Sequence, residues 1–535
     1  MSPVSTQTAA PSISRGAGAS PMLIALLVAF AAFMEVLDTT IANVALPYIG
    51  GGLGVSEDEA SWVVTTYLVA NAVSLTGSSY FAQRFGRKTF FLTCLILFTI
   101  SSVLCGFAPN LHMLLLFRVM QGLGGGGMVP VSQSIIADAF APEKRGQGFA
   151  LFGIAVIVAP VVGPTLGGWI ADNLSWQWCF LINGPIGIVA TILISVLVHE
   201  SPAALAQQRR SREQGLGFDA VGFFLVATFL GSLEIALDRG LEDDWFGSNF
   251  IVAITTVCAL AFVLMIPWEL SRRNPMIDLR MLATRQFGAC FVVMLATGAI
   301  LISTIQYLPQ LVQQGFGYTA TWAGLVLTPG GIVTAMIMPA VGRLTGKVQP
   351  RYLMALGAAI TALAMYDMTR LNSDSGFWFF AISRIYLGFG LPLIFISISA
   401  ASYDGIPKSK TDMASALINA ARNVGGSIGI SLSNNILAHR EQFHQSRLVE
   451  LINSSTPQFQ TAFKQATNYF ATHGSSVLQA QQQAVALINQ QLQLQASYLA
   501  YIDVFWVLML ISTAAVPLAL ILRKVKLGEA AAAAH

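Results

Sequence analysis

The chain is predicted to fold as an all-α polytopic membrane protein, and three observations carry that expectation. Hydrophobic residues make up 55% of the 535 positions and charged residues 10%, whereas a soluble globular chain carries roughly 25% charge. Apolar stretches of helix length recur from one end to the other. Lys and Arg collect in alternate connecting segments, the pattern expected when short cytoplasmic loops retain positive charge.

Taken in order, residues 1–21 are Ser/Ala/Pro-rich and read as a disordered cytoplasmic N-terminus. The apolar run that follows is expected to stay as a first span, because no cleavage site follows it. A window of about 19–20 residues places spans near 22–47, 60–82, 89–108, 112–138, 146–172 and 178–198. A polar linker at 199–218 leads to an inserted pair near 219–238 and 249–269. Six more follow near 287–310, 321–345, 351–370, 377–402, 412–437 and 500–522, within a unit spanning 287–523 that includes a long outer loop, 438–499. Residues 524–535 form a cytoplasmic tail.

Charge placement tests this count of fourteen. With both termini inside, inner segments hold 21 of the 29 basic residues, among them Arg84, Arg87 and Lys88. The outer side receives five, and Arg118, Arg384 and Arg422 remain within spans. Adding or removing one helix would scramble the pattern. FRVMQGLG (117–124) is echoed by SRIYLGFG (383–390), supporting related halves of the kind secondary transporters use. The outer loop, with its run LQAQQQAVALINQQLQLQ (478–495), reads either as low complexity or as helical extensions of the flanking spans.

The net charge of +3 comes without a basic tail or interleaved aromatics, so no nucleic-acid partner is expected. The five cysteines lie in apolar segments, without CxxC spacing, and read as small hydrophobic filler.

The stretch MEVLDTTIANVALP (34–47) places Glu35 and Asp38 inside the first span. On a helix they share a face. Ionised carboxylates in hydrocarbon cost several kcal/mol and usually face a bundle interior or an aqueous cavity. A carboxyl that is neutral in one conformation and ionised in another carries protons; the alternative is an architectural ion pair, with Arg118 as partner. Glu234 and Asp238, one turn apart, and Arg422 suit transport or architecture equally. In APVVGPTLGG (159–168), proline frees backbone carbonyls while Gly163, Gly167 and Gly168 permit close contact. That describes a gate or simply tight packing.

LDTTIANVALP (37–47), FRVMQGLGGGGMVP (117–130), VVGPTLGGWI (161–170), WQWCFLINGPIG (176–187), LDRG…DWF (237–246) and GYTATWAG (317–324) resemble the fourteen-span drug:proton antiporter branch of the major facilitator superfamily, in its EmrB-type exporters. The likeness runs from about 22 to 523. It implies export of hydrophobic drugs by alternating access between two six-helix halves, driven by proton entry and needing no cofactor. Asp38 would take the proton and Arg118 modulate it, while Gly163, Pro164, Gly167 and Gly168 would shape the antiport helix. It also implies a bacterial inner-membrane protein working with a periplasmic membrane-fusion adaptor and an outer-membrane channel. The loop 438–499 would dock that adaptor or act as a lid.

The inner-loop motif departs from the superfamily pattern: in SYFAQRFGRK (79–88), Ser79 and Gln83 stand where glycine and aspartate are usual. Arg84, Gly86 and Arg87 keep the turn and its charge, but the carboxylate of the usual charge latch is absent at position 83. A midplane substrate cavity is expected from Asn43, Asn71, Gln121, Gln133, Arg384, Asn419 and Arg422. A dedicated exporter of one endogenous metabolite, such as a siderophore or antibiotic, would need the same machinery. A lipid-modifying enzyme would need a surface catalytic cluster; neither HExxH nor a Walker A stretch occurs, and the one GxSxG string, GGSIG (425–429), falls inside a predicted span.

Overall fold

The computed structural model describes residues 20–140, 145–200, 205, 208–209, 217–272, 275–407, 410–451 and 456–524. Nearly all of the expected N-terminal and C-terminal tails and most of the linker 199–218 lie outside them.

Backbone polar groups have no water to bond in hydrocarbon, so apolar spans must satisfy them internally as helices. Among the described residues there is helix and no strand. In order the helices are α1 (Pro21–Leu53), α2 (Glu57–Phe85), α3 (Arg87–Gly106), α4 (Leu111–Gly125), α5 (Met128–Ala139), α6 (Arg145–Asn173), α7 (Trp178–Leu181) and α8 (Asn183–Leu197). Then come α9 (Ala220–Arg239), α10 (Asn249–Ser271), α11 (Leu279–Leu282), α12 (Arg285–Phe316), α13 (Ala320–Leu344), α14 (Pro350–Met368), α15 (Phe377–Ala401), α16 (Thr411–Leu451), α17 (Pro457–Thr472) and α18 (Val477–Ile521). Their ends are marked in the sequence. Ser20 caps α1, accepting from the Leu23 N–H at 3.3 Å, and Pro21 starts that helix where no N–H is needed. Ser56 and Glu59 form a capping box on α2.

Eleven helical segments among the described residues are long and apolar enough to cross a membrane. The other three predicted spans fall on α2, α14 and α16, which carry polar side chains inside or at the ends of their apolar runs. Two predicted spans are broken. The one at 112–138 divides into α4 and α5 after the glycine run 124–127, and the one at 178–198 divides into α7 and α8 at Ile182. In each case a proline (Pro130, Pro185) lacks the N–H that would bond the carbonyl four residues back, at Gly126 or Leu181.

The first set, α1–α8, meets the second set, α11–α18, along two seams: α6 packs on α13, and α2 and α5 on α16. Loops at the end of the bundle bearing Arg84, Arg87 and Lys88 define its basic end. There a single buried apolar cluster draws on both sets, with Ile136 and Phe149 from one and Met338 and Leu417 from the other. Towards the far end each set has its own cluster, Val161 of α6 being the one contribution across. The inserted pair α9–α10 lies outside the seam, with α9 on both α2 and α16. Residues 438–451 and 477–499 continue α16 and α18 as helix, tied by Arg440 and His444 to Asp503 at 2.5 and 2.8 Å, and α17 packs on α18.

Candidate functional site

The first polar cluster is built on α1. Asp38 is 1% exposed and accepts three hydrogen bonds. Arg118 Nη1 of α4 donates to Oδ2 at 2.8 Å, while Gln121 Nε2 and Asn183 Nδ2 of α8 donate to Oδ1 at 2.9 and 2.6 Å. Arg118, fully buried, also donates from Nε to the Val63 carbonyl at 2.9 Å and from Nη1 to Gln121 Oε1 at 2.8 Å. Its guanidinium lies 4.3 Å from the centre of the Tyr67 ring. A buried ion pair is tolerated when further hydrogen bonds satisfy it, and here α2, α4 and α8 supply them, with Arg118 Nη2 left without a partner.

Glu35 lies one turn away on the same helix, buried, accepting from the Tyr67 hydroxyl and from Asn71 Nδ2, both at 3.0 Å. Tyr67 therefore joins the two acids, with its ring beneath Arg118 and its hydroxyl on Glu35. Glu35 and Arg422 of the second set act on each other electrostatically without direct contact, and Arg422 reaches only Asn423, at 3.3 and 3.4 Å.

Between this site and the basic end, polar groups join the two sets. Gln133 Oε1 accepts from Ser415 and Asn419, both at 2.8 Å. Arg87 donates to both oxygens of Asp412 at 2.9 and 3.0 Å, and also pairs with Asp138. Among the described residues Gln83 bonds Ser79 alone, and the charged latch absent from position 83 is assembled by Arg87 across the seam. Gly86 makes the tight α2–α3 turn with φ +97°, conformational space that favours glycine. Arg84 is exposed.

Among the described residues no group of His, Cys, Asp and Glu could hold a metal ion. All five cysteines are free and buried.

The chain is 37% identical over 491 residues to the multidrug export protein EmrB of Escherichia coli (strain K12), covering 91% of this chain and 93% of that one. It is 33% identical to the fatty acid resistance protein FarB of Neisseria gonorrhoeae, covering 91% and 93%. It is 29% identical to the colistin resistance protein EmrB of Acinetobacter baumannii, covering 90% and 92%. The family profile "Major Facilitator Superfamily" matches residues 28–430. The chain belongs to the major facilitator superfamily, in its EmrB-type branch.

This superfamily member is a multi-pass membrane transporter and not an enzyme. Solved structures agree on the fold. The proton:xylose symporter XylE matches with TM-score 0.58 at 14% identity, covering 93% of this chain and 96% of that one. A bacterial homologue of the lysosomal transporter Spinster, in an inward-facing conformation, matches with TM-score 0.54 at 17% identity, covering 94% and 97%.

The transporter distributes the residues singled out in its sequence over several places. Asp38, Arg118 and Gln121 form one network, and Glu35 with Asn71 forms its neighbour. Gln133 and Asn419 bridge the sets. Asn43 is exposed on α1, apart from these clusters. Glu234 on α9 accepts from Ser427 Oγ of α16 at 2.8 Å, and Asp238 accepts from Thr65 of α2, so the inserted pair touches both sets. Gly163, Gly167 and Gly168 are buried and Pro164 is half-buried on α6, which runs unbroken through Pro160 and Pro164. Tyr67, Asn183, Asp138 and Asp412 join the clusters without having been singled out. Asn183 had a signal, an amide inside an apolar span beside Gly184 and Pro185.

At Gly163 an added Cβ would stand 2.0 Å from Thr40 Oγ1 of α1. Gly163→Ala is therefore expected to lower the melting temperature in detergent by several degrees, since overpacking costs about 1–3 kcal/mol. Thr40→Ala in the same chain should return part of that loss.

Proposed function

We propose that this protein is a proton-driven exporter of amphipathic, hydrophobic compounds. The observation that carries the reading is a single buried carboxylate, Asp38, held at once by Arg118, Gln121 and Asn183 from two other helices. Asp38 takes the proton and Arg118 modulates it. Protonation removes the charge that holds Arg118, so the ion pair between α1 and α4 is lost while Gln121 and Asn183 still donate to Asp38. Glu35, linked through Tyr67, is the second candidate on the proton path, and Glu234 and Asp238 are further ones.

Alternating access follows from the two sets acting as halves. By the positive-inside rule the basic end is cytoplasmic, both termini are inside, and the fourteen helical segments all count as spans. The halves share a core and the Arg87–Asp412 pair at that end, so this conformation is closed to the cytoplasm. Gln133, Asn419 and the antiport-helix glycines lie where the halves must slide. Arg384 and Arg422 contribute charge to the cavity wall.

Relatives carry the names multidrug export, fatty acid resistance and colistin resistance. These names support a broad amphipathic substrate class over a dedicated exporter of one siderophore or antibiotic. The membrane is the bacterial inner membrane, the proton gradient is the energy source, and no cofactor is needed. In proteoliposomes, an imposed pH gradient should drive ethidium transport that collapses when the gradient is dissipated. Transport indifferent to the gradient would sink the coupling.

We also propose that the helical extension over 438–499 docks a periplasmic adaptor leading to an outer-membrane channel. Replacing those residues with a short linker should abolish copurification of an adaptor while leaving ethidium transport in liposomes. Retained copurification would rule out docking there.

A further inference from the structure

Three arginines lie inside the helical bundle, and two have an acid to answer them. Arg118 is paired with Asp38, and Arg422, whose Nη1 also lacks a hydrogen-bond partner, has Glu35 as an electrostatic neighbour without an ion-pair contact. Arg384 on α15 has neither. It is 5% exposed, and its Nε and Nη1 are buried without a hydrogen-bond partner. No ion pair involves it among the described residues. An uncompensated buried charge is strongly unfavourable, and breaking a buried pair by removing one partner costs about 3–5 kcal/mol. A guanidinium with two nitrogens left in that state calls for an anion from beyond the described residues.

Its position says where that anion comes from. Arg384 shares a helix face with Phe380, Leu387 and Leu391, at spacings of four, three and seven residues. Those three belong to the buried cluster that also holds Ile305 of α12 and Val161 of α6, the one place where the far-end clusters cross between the sets. Glycine brings the backbones together here. An added Cβ on Gly330 of α13 would stand 2.4 Å from the Arg384 carbonyl, and one on the adjacent Gly331 would stand 3.2 Å from Val161. Arg384 thus sits on a helix that itself touches α6 of the first set, on a face lined with apolar side chains.

The geometry points to Arg384 as the receptor for the carboxylate of an anionic amphiphile. The amphiphile's apolar tail takes over the contacts of Phe380, Leu387 and Leu391, each at most 3% exposed in this conformation, when α15 parts from its neighbours during transport. A planar guanidinium accepts a carboxylate in a two-toothed arrangement, and the surrounding apolar side chains strengthen the attraction. The sequence echo between FRVMQGLG and SRIYLGFG supports the comparison: the two halves carry equivalent arginines, one answered by the protein's own Asp38 and the other left for cargo. The inference rests on the export reading above and adds to it the charge of one substrate class.

The test is equilibrium binding of laurate and dodecyltrimethylammonium, equal in chain length and opposite in charge, to wild-type and Arg384→Gln protein. Nanodiscs of zwitterionic phosphatidylcholine exclude anionic lipid as a competitor, and empty discs are subtracted. The wild type should favour laurate, and Arg384→Gln should lower the laurate-to-cation affinity ratio at least tenfold, with Arg384→Lys restoring part of it. An unchanged ratio overturns the assignment, as does the absence of laurate binding to the wild type. Should the glutamine variant not fold, the wild type decides alone, because laurate must outbind its uncharged methyl ester. Ethidium transport by the same wild-type preparation is scored separately: its failure removes the export reading, whereas its success without laurate binding removes only this inference.

Discussion

Replacing Arg118 by alanine is expected to destabilise the transporter by about 3–5 kcal/mol and to abolish gradient-driven transport. The change leaves Asp38 buried against Gln121 and Asn183 with no counter-charge. It also leaves the Val63 carbonyl and Gln121 Oε1 without their donor and removes the cation above Tyr67. Asp38→Asn in the same chain should recover much of the stability, since the uncompensated charge is then gone, but none of the coupling. Thermal unfolding of the wild type, both single variants and the double variant closes the cycle. A large coupling energy between positions 38 and 118 is expected. Independent effects would mean that Arg118 owes its place to Tyr67 and the Val63 carbonyl instead.

The second large effect lies at the basic end. Asp412→Asn breaks the two-toothed contact from Arg87 across the seam while keeping its shape. Asp138 then remains as the partner of Arg87, within the same set. The variant should therefore stay folded but lose the preference for the joined arrangement. If a buried pair is worth about 3 kcal/mol, the equilibrium between the two arrangements moves on the order of a hundredfold. A cysteine introduced at Ser415, buried where Gln133 bridges the sets, reports the change through labelling by a water-soluble thiol reagent. The native cysteines, all buried, give a low background. Labelling should rise in Asp412→Asn and stay low with Asp412 intact; equal labelling would show that the apolar cluster alone holds this end together.

Much of this was legible in the sequence, for reasons that differ by element. Apolar runs such as 249–269 can only be helices in hydrocarbon, so hydropathy suffices there. The helices α2, α14 and α16 carry polar side chains; the apolar window placed them, and the charge distribution of the loops supported counting them. The breaks at Gly126–Gly127 and Ile182 escaped because hydropathy does not register a missing N–H at Pro130 or Pro185. The Asp38–Arg118 partnership was foreseeable, because a buried arginine needs a carboxylate and few were present. Tyr67 and Asn183 were not, because they reach the acids only through the packing of α2 and α8 on α1. The latch was hidden for the same reason. Gln83 in place of the usual aspartate suggested a lost charge contact, whereas Arg87 reaches Asp412, 325 residues away in the chain.

The central claim is that Asp38 couples proton entry to export. The most direct measurement is proton flux and ethidium transport recorded together in proteoliposomes, with wild type and Asp38→Asn at equal protein density. Asn keeps the size of Asp38 and can accept from Gln121 and Asn183, but it leaves Arg118 without its counter-charge, so the two proteins are compared at equal amounts of folded transporter. The account predicts that wild type moves protons when substrate is added and concentrates ethidium against its gradient, whereas Asp38→Asn only lets ethidium equilibrate and moves no protons. Concentration of ethidium by Asp38→Asn with proton flux intact would contradict it and move the coupling to Glu35 or Glu234.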